Sequence, residues 1–256
     1  MKTALIVYGV CDIGCEKPNN EDMILFNDVQ FRDGSMRKEF DITGDAGVPG
    51  RHNRVVIALA DGIGGLDKGE AASELALARL RKFLERIPGD LSNQELKEVF
   101  DVYTQETHNT MSEGMGSTIV GLFLYQGKVF RFHAGDSRIY LLRNGGLTRL
   151  TIDHSLRESG GTPNAPANII INSLGGPGSA FIEFAEVEQP FVKGNIYLLS
   201  SDGLHDLVSP AVISDTLIQS QNEGTEAAER LLALAKENGG LDNISIITIK
   251  IEENEE

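Results

Sequence analysis

An α+β fold, with antiparallel sheets and helices layered on them, is what the sequence predicts. Two observations carry that prediction. Runs of strand character follow one another in groups, as in "TALIVYGV", "DMILFNDVQF" and "RVVIALA". Segments with helical apolar spacing come in pairs, after Asp67 and Ser92 and again after Ser209 and Thr225. One strand alternating with one helix, the pattern of a parallel sheet, is not the pattern here. The 256 residues contain no dividing linker and no internal repeat, so a single domain over residues 1–256 is expected.

In chain order, "MKTALIVYGV" opens with a lysine and an apolar run, but "CDIGCEK" offers no small-residue cleavage site, so it reads as a first strand and not a signal peptide. "DMILFNDVQF" is the second strand. The polar, Gly-rich stretch from Asp33 to Asn53 reads as a long hairpin connection or loop. "RVVIALA" is the next strand, and it stops at Asp61, with glycines at 62, 64 and 65. Asp67 and Glu70 form a capping-box pattern ahead of Ala72, Leu75, Ala76, Leu80, Phe83, Leu84 and Ile87 at helical spacing. Pro88-Gly89 ends that helix. Ser92 and Glu95 repeat the device before Leu96, Val99, Phe100 and Tyr103. Strands return in "STIVGLFLY", "KVFRFHAG" and "RIYLLRN", joined by the turn residues Gln126-Gly127 and Asn144-Gly145-Gly146. Residues 151–180 are rich in Gly, Pro, Asn and Ser and read as an exposed segment. "FIEFAEVE" and "NIYLLSS" are further strands. Ser209-Pro210 starts a helix. Thr225 caps another, which Asn238-Gly239-Gly240 stops. "NISIITIKI" is the closing strand and "EENEE" a solvated acidic tail.

Composition narrows the function. Hydrophobic residues at 41% and charged residues at 24% are those of a soluble globular chain. The formal charge, 23 − 38 = −15, argues against a nucleic-acid partner, whose phosphates call for basic patches. No window approaches the apolar length of a membrane span. Cys11 and Cys15 lack C-x-x-C spacing and read as reduced, packed thiols in a cytoplasmic protein.

The acids are placed in a pattern. Asp61, Asp136 and Asp202 each end an apolar run, Asp242 precedes the last strand, and Glu21 and Asp22 precede the second. Carboxylates converging from several strand ends repel one another unless a cation neutralises them. Oxygen ligands select Mg²⁺ or Mn²⁺. Gly62, without a Cβ, would let its carbonyl approach an ion. Two such ions can activate a water for attack on phosphorus. On these residues alone, a metal site and a set of ordinary Asp-Gly turns both stand.

The motifs "NNED" (19–22), "ADGIGG" (60–65), "GEAAS" (69–73), "GSTIVGL" (116–122), "HAGDSRIYLL" (133–142), "LTIDHSL" (150–156), "LLSSDGLHD" (198–206) and "LDNISII" (241–247) resemble, in order and over nearly the whole chain, the type 2C metal-dependent protein phosphatases in their bacterial form. The resemblance implies a four-layer α-β-β-α sandwich, two antiparallel sheets face to face with helix pairs outside. It implies hydrolysis of phosphoserine and phosphothreonine in proteins by a water bridging two Mn²⁺ or Mg²⁺ ions, with a possible third ion. Asp61 matches the acid shared by the two metals, and the Gly62 carbonyl a contact to the second. Asp202 and Asp242 match the other first-metal ligands and, with Asp61, the catalytic set. Glu21 and Asp22 match acids near the second metal, largely acting through water. Asp136 matches the holder of the third ion. Asn243 matches a supporting hydrogen-bonding residue.

Three features depart from the family pattern. Lys17 stands where an arginine often binds substrate phosphate, and lysine lacks the bidentate fork. An exposed strand-end lysine is the other reading of Lys17. Ile63 stands where eukaryotic members have a histidine as proposed general acid. The segment between "DHSL" and "NSLGG" is shorter than the flap of many relatives, which implies a more open cleft. The implied partners are phosphoproteins, targets of a serine/threonine kinase, met by a monomer. The competing reading is a non-catalytic phosphoprotein-binding or regulatory module of the same fold, and the intact acids argue against it. A divalent-ion-binding protein unrelated to phosphoryl chemistry leaves the ordered motifs unexplained. His133 and His154 read as structural, His205 as exposed and inert, and Arg138 as either a partner for a nearby acid or a residue that orients the turn.

Overall fold

The structure, a computed structural model, describes residues 2–42, 54–63, 68–159, 161, 164–166, 169–220 and 224–254. One sheet runs in the order β10 (Gly146–Arg149), β9 (Arg138–Arg143), β12 (Ile196–Ser200), β13 (Ile244–Asn254), β1 (Lys2–Asp12) and β4 (Gly34–Asp41). The other runs β11 (Glu183–Glu186), β8 (Lys128–Ala134), β7 (Ile119–Tyr125), β5 (Arg54–Ile63), β2 (Asp22–Phe26) and β3 (Val29–Phe31), with β6 (Gly116–Ser117) paired to the end of β5. Every pairing is antiparallel.

Period-2 alternation builds the layers. Along β5, Val55, Ile57 and Leu59 face the other sheet, while Val56, Ala58 and Ala60 face the helices α1 (Lys68–Leu84) and α2 (Asn93–Thr110). Along β13, Ile247, Ile249 and Ile251 face between the sheets. Ile244 and Ile246 face the opposite way, towards Leu204 of α3 (Asp202–His205), Ile213 and Leu217 of α4 (Pro210–Gln219) and Leu231 of α5 (Gly224–Glu237). Three apolar layers thus separate helices, sheet, sheet and helices, the four-layer α-β-β-α sandwich expected. Both faces of the central strands are buried, so they read as unbroken apolar runs.

Several expectations are corrected. Residues 34–41 of the expected loop form β4, an edge strand whose exposed polar residues gave no apolar signal and whose partner is the distant β1. The run 22–31 is a hairpin, broken at Asn27 (φ 55°) between β2 and β3. Gly146, expected in a turn, begins β10, a second edge strand. α1 ends at Leu84, ahead of Pro88-Gly89, and α5 starts at Gly224, ahead of Thr225. Residues 252–254 of the expected tail pair with Lys2–Ala4 in β13. The expected exposed segment is buried at both ends, at Thr151, Asp153, His154 and Ser155 and at Asn172, Ser173 and Leu174. Cys11 is buried but Cys15 is exposed. The cap at Asp67, with glycines 64 and 65, lies outside the described residues. The Ser92–Glu95 capping box is present, and Ser209 caps α4.

Candidate metal centre

In antiparallel sheets the end of one strand and the start of its neighbour share a rim. Asp61 is near the end of β5 and Asp22 begins β2, directly opposite it in the register. Asp136 lies between β8 and β9, Asp202 follows β12, and Asp242 precedes β13. Like charges directly opposite across a strand pair are destabilising, yet Asp22 and Asp61 lie on the inter-sheet face together.

Hydrogen bonds hold several of these acids or their neighbours. The Asp61 N–H donates to Thr118 Oγ1 (3.1 Å), and its carbonyl accepts from Thr118 N–H (2.8 Å) and Ser117 Oγ (3.2 Å). Thr118 Oγ1 also hydrogen-bonds Ser137 Oγ (2.8 Å), next to Asp136. Asn243 Oδ1 accepts from Glu21 N–H (2.8 Å), while its Nδ2 donates to the Ile13 and Asn19 carbonyls (2.9 and 3.0 Å). Asp22 Oδ2 accepts from Ser201 Oγ (2.8 Å). α3 brings Asp202 to the start of β13 because Gly203 has no Cβ, which would lie 2.0 Å from the Asn243 carbonyl oxygen.

Gly62 serves a tighter approach than expected. A Cβ there would lie 2.1 Å from the Gly69 carbonyl oxygen and 2.8 Å from that of Glu21, so α1 and the Glu21 loop close directly over β5. The Gly69 amide also favours the charged form of the Glu21 carboxylate. Gly62→Ala should therefore lower stability by about 2–3 kcal/mol and displace α1, a change that thermal unfolding would measure.

The electrostatics describe a site short of positive charge. Burial first, then the charges of Asp22, Asp202, Asp136 and Asp242, push the Asp61 carboxyl well above its ordinary value. Burial, then Asp136, Asp242 and Asp22, do the same to Asp202. Burial pushes Asp22 and Asp136 each up to about 6. Burial raises Glu21 too, against the pull of Lys17. Asp22 Oδ1 and Asp136 Oδ1 are buried with no hydrogen-bond partner. Buried carboxylate oxygens without donors, among other acids, fit a cation as missing partner.

Lys17 lies in this site. Its Nζ is 2.7 Å from Asp242 Oδ1. Burial lowers its affinity for a proton, but the Asp242 hydrogen bond and charge, with Glu21 and Asp61, outweigh that and raise it. Two acids not singled out in the sequence join the rim. Asp206 of "SDGLHD" raises both Asp136 and Asp202, and Asp153 of "TIDHSL" raises Asp136 while pairing with Arg138. Their motifs were the available signal. His205 is buried, against expectation, with Nδ1 3.0 Å from Ser200 Oγ.

Among the described residues, no three of the rim acids bring ligand atoms within 4.8 Å of one another, but His133, His154 and Glu183 do. That trio is not arranged for a metal. His154 Nδ1 faces two donors, Gly135 N–H (3.2 Å) and Asn172 Nδ2 (2.7 Å). The Asn172 amide is oriented by Phe181, which accepts from Nδ2 and donates to Oδ1. The His154 proton is therefore on Nε2, directed at Glu183 Oε1 (3.4 Å), and no lone pair is free there. Burial holds both histidines neutral, with His133 lowered to about 4.

Buried carboxylates gathered at one rim of the two sheets, two of them with unpartnered oxygens, fit the class of metal-dependent hydrolases. The protein phosphatase 2C family profile matches residues 30–159. The serine/threonine phosphatase stp of Listeria welshimeri is 30% identical over 219 residues, 78% of this chain and 86% of that protein. The protein phosphatase PhpP of Streptococcus pneumoniae is 32% identical over 221 residues, 79% and 88%. A serine/threonine phosphatase structure from S. agalactiae superposes with a TM-score of 0.77 at 26% identity, covering 97% of this chain and all of that one. The catalytic domain of the phosphatase PstP, solved with two manganese ions, gives 0.69 at 29% identity, covering 97% and 100%. The chain belongs to the protein phosphatase 2C family and is a metal-dependent serine/threonine protein phosphatase.

Proposed function

We propose that the rim acids hold two divalent cations, manganese or magnesium, with Asp61 shared between them. Asp202 and Asp242 complete one position. The Gly62 carbonyl serves the other, with Glu21 and Asp22 acting largely through water. Asp136 serves a third. Bound there, the ions would neutralise the acids and supply an activated water for attack on a phosphoserine or phosphothreonine ester. The observation that carries this reading is the pair of buried, unpartnered oxygens on Asp22 and Asp136 beside the raised carboxyls of Asp61 and Asp202.

The chain's own groups do the rest. The Thr118 and Ser117 bonds hold the Asp61 backbone, and Asn243 holds Glu21. Lys17, the cation beside Asp242, binds substrate phosphate as a point charge. Ile63 provides no proton, so the leaving group takes one from water. On this reading the substrates are targets of a serine/threonine kinase, and the free thiols of Cys11 and Cys15 suit a cytoplasmic setting.

The test is hydrolysis of a phosphothreonine peptide with Mn²⁺ and with chelator. Turnover should need the ion. Lys17→Met should raise KM about tenfold with kcat little changed, and Lys17→Arg should restore it. Equal rates with and without chelator would refute the reading, and an unchanged KM in Lys17→Met would remove Lys17 from phosphate binding.

A further inference from the structure

β10 ends one sheet and β11 ends the other, and a cleft of about 440 Å³ lies between these two edges. Arg131, Leu141, Arg143, Thr148, Leu150 and Val187 line it, and none of the rim acids does. β9 leaves the rim at Arg138 and reaches Arg143 about 17 Å further on, so the cleft is a separate place on the molecule. Two arginines face into it against the local pattern. Along β8, Arg131 alternates with Val129, and along β9, Arg143 alternates with Ile139 and Leu141, all three packed between the sheets. Period 2 therefore turns both arginines into the gap between the sheets, where Leu150 and Val187 also pack.

Neither guanidinium is satisfied by the protein. Arg143 is anchored through Nη2, which donates to the Glu188 and Gln189 carbonyls (3.1 and 2.7 Å), but its Nε is buried with no partner. Arg131 makes no hydrogen bond among the described residues. Its Nη1 is buried, and the nearest carboxylate oxygen, Glu183 Oε2, is 3.8 Å away, beyond hydrogen-bond reach. The other acids at the cleft do not answer it. Glu186 Oε2 accepts from Asn93 and Lys128 (2.7 and 3.2 Å), and Glu188, exposed, gives Arg143 only its carbonyl. Arginines without acceptors on a largely apolar sheet face contradict their surroundings, and such contradictions mark functional positions. A guanidinium fork takes the oxygens of a carboxylate or phosphate in pairs. The leucine and valine walls suit an apolar body behind that headgroup, and the volume is in the range of small-molecule sites.

We infer that the cleft between β10 and β11 binds a small amphiphilic anion, with its carboxylate or phosphate on Arg131 and Arg143 and its apolar body against Leu141, Leu150 and Val187. The test is calorimetric titration of the Mn²⁺-loaded protein with octanoate, with octylphosphonate, a phosphate monoester mimic that cannot be hydrolysed, and with octylamine as the cationic control. At least one of the two anions should bind with one equivalent, and the tighter of them identifies the headgroup. Octylamine should bind at least tenfold more weakly. Arg131→Met should weaken the anion about tenfold. Thr148→Phe keeps both arginines and fills the cleft from an exposed position on the edge strand, and it should abolish binding. Should Arg131→Met fail to fold, Thr148→Phe decides alone. No binding of either anion overturns the inference. Octylamine binding as tightly as the anions makes the cleft a plain apolar slot and also overturns it. So does anion binding that the folded variants keep, which places the anion elsewhere, at the rim metals included. All of these outcomes leave the phosphatase reading untouched.

Discussion

Asp61→Asn should lose about a thousandfold in phosphopeptide turnover while melting at a higher temperature than wild type in chelator. The two effects have one cause. Asp61 faces Asp22 directly across β2 and β5 and feels Asp202, Asp136 and Asp242. Asparagine keeps the shape and leaves the backbone bonds to Thr118 and Ser117 in place. It removes one buried charge from a set of like charges, which without cations should stabilise the fold by about 1 kcal/mol, roughly 2–4 °C for a chain of this size. It also removes the acid proposed to be shared between two cations, and losing such charge stabilisation in the transition state costs about three orders of magnitude. Asp202→Asn should behave alike, since its carboxyl is raised by burial and by Asp136, Asp242 and Asp22. Calorimetry in chelator and a phosphopeptide assay in Mn²⁺ check the pair. A variant that loses both stability and activity would show that the carboxylate is structural, and an active variant would remove it from the site.

The same opposition, expected of acids at buried strand ends, is what makes the candidate site legible in the sequence. A carboxylate ending an apolar run, as in "ALADG" or "LLSSDG", contradicts its surroundings, and such contradictions mark functional positions. The central strands were legible because burial on both faces makes them continuous apolar runs, and α2 and α4 because Ser92 and Ser209 announce them. β4 and β10 were not, because edge strands with exposed polar residues owe their form to a partner elsewhere in the chain. Asp153 and Asp206 give no such signal, because each sits in a polar stretch where an acid contradicts nothing. His205 looked exposed for the same reason, although the turn of α3 buries it. The Lys17–Asp242 pair joins opposite ends of the chain, and no local pattern reports it.

The metal-dependent part of the melting temperature should grow as pH rises from about 5 to 7.5. Burial raises Asp22 and Asp136 to about 6, and burial with neighbouring charge raises Asp61 and Asp202 well above their ordinary value, against an unfolded value near 4. The folded protein in chelator then binds more protons than the unfolded chain above pH about 4. These groups therefore contribute stability at low pH that is lost as pH rises through their folded values. The buried histidines act oppositely. Burial lowers His133, His154 and His205, so their contribution rises with pH from their folded values up to about 6.5, and the total in chelator mixes the two signs. Subtracting the chelator curve from the Mn²⁺ curve cancels the histidines and leaves the rim. At pH 7.5 a hundredfold excess of Mn²⁺ over its Kd should add about 2.7 kcal/mol. At pH 5 the same concentration must displace protons from the acids and should add much less. Asp61→Asn and Asp202→Asn should flatten the difference, whereas Glu186→Gln, at an exposed acid bonded to Lys128 and Asn93, should leave it unchanged. A difference that is flat with pH in the wild-type protein would mean that Mn²⁺ does not bind at these acids.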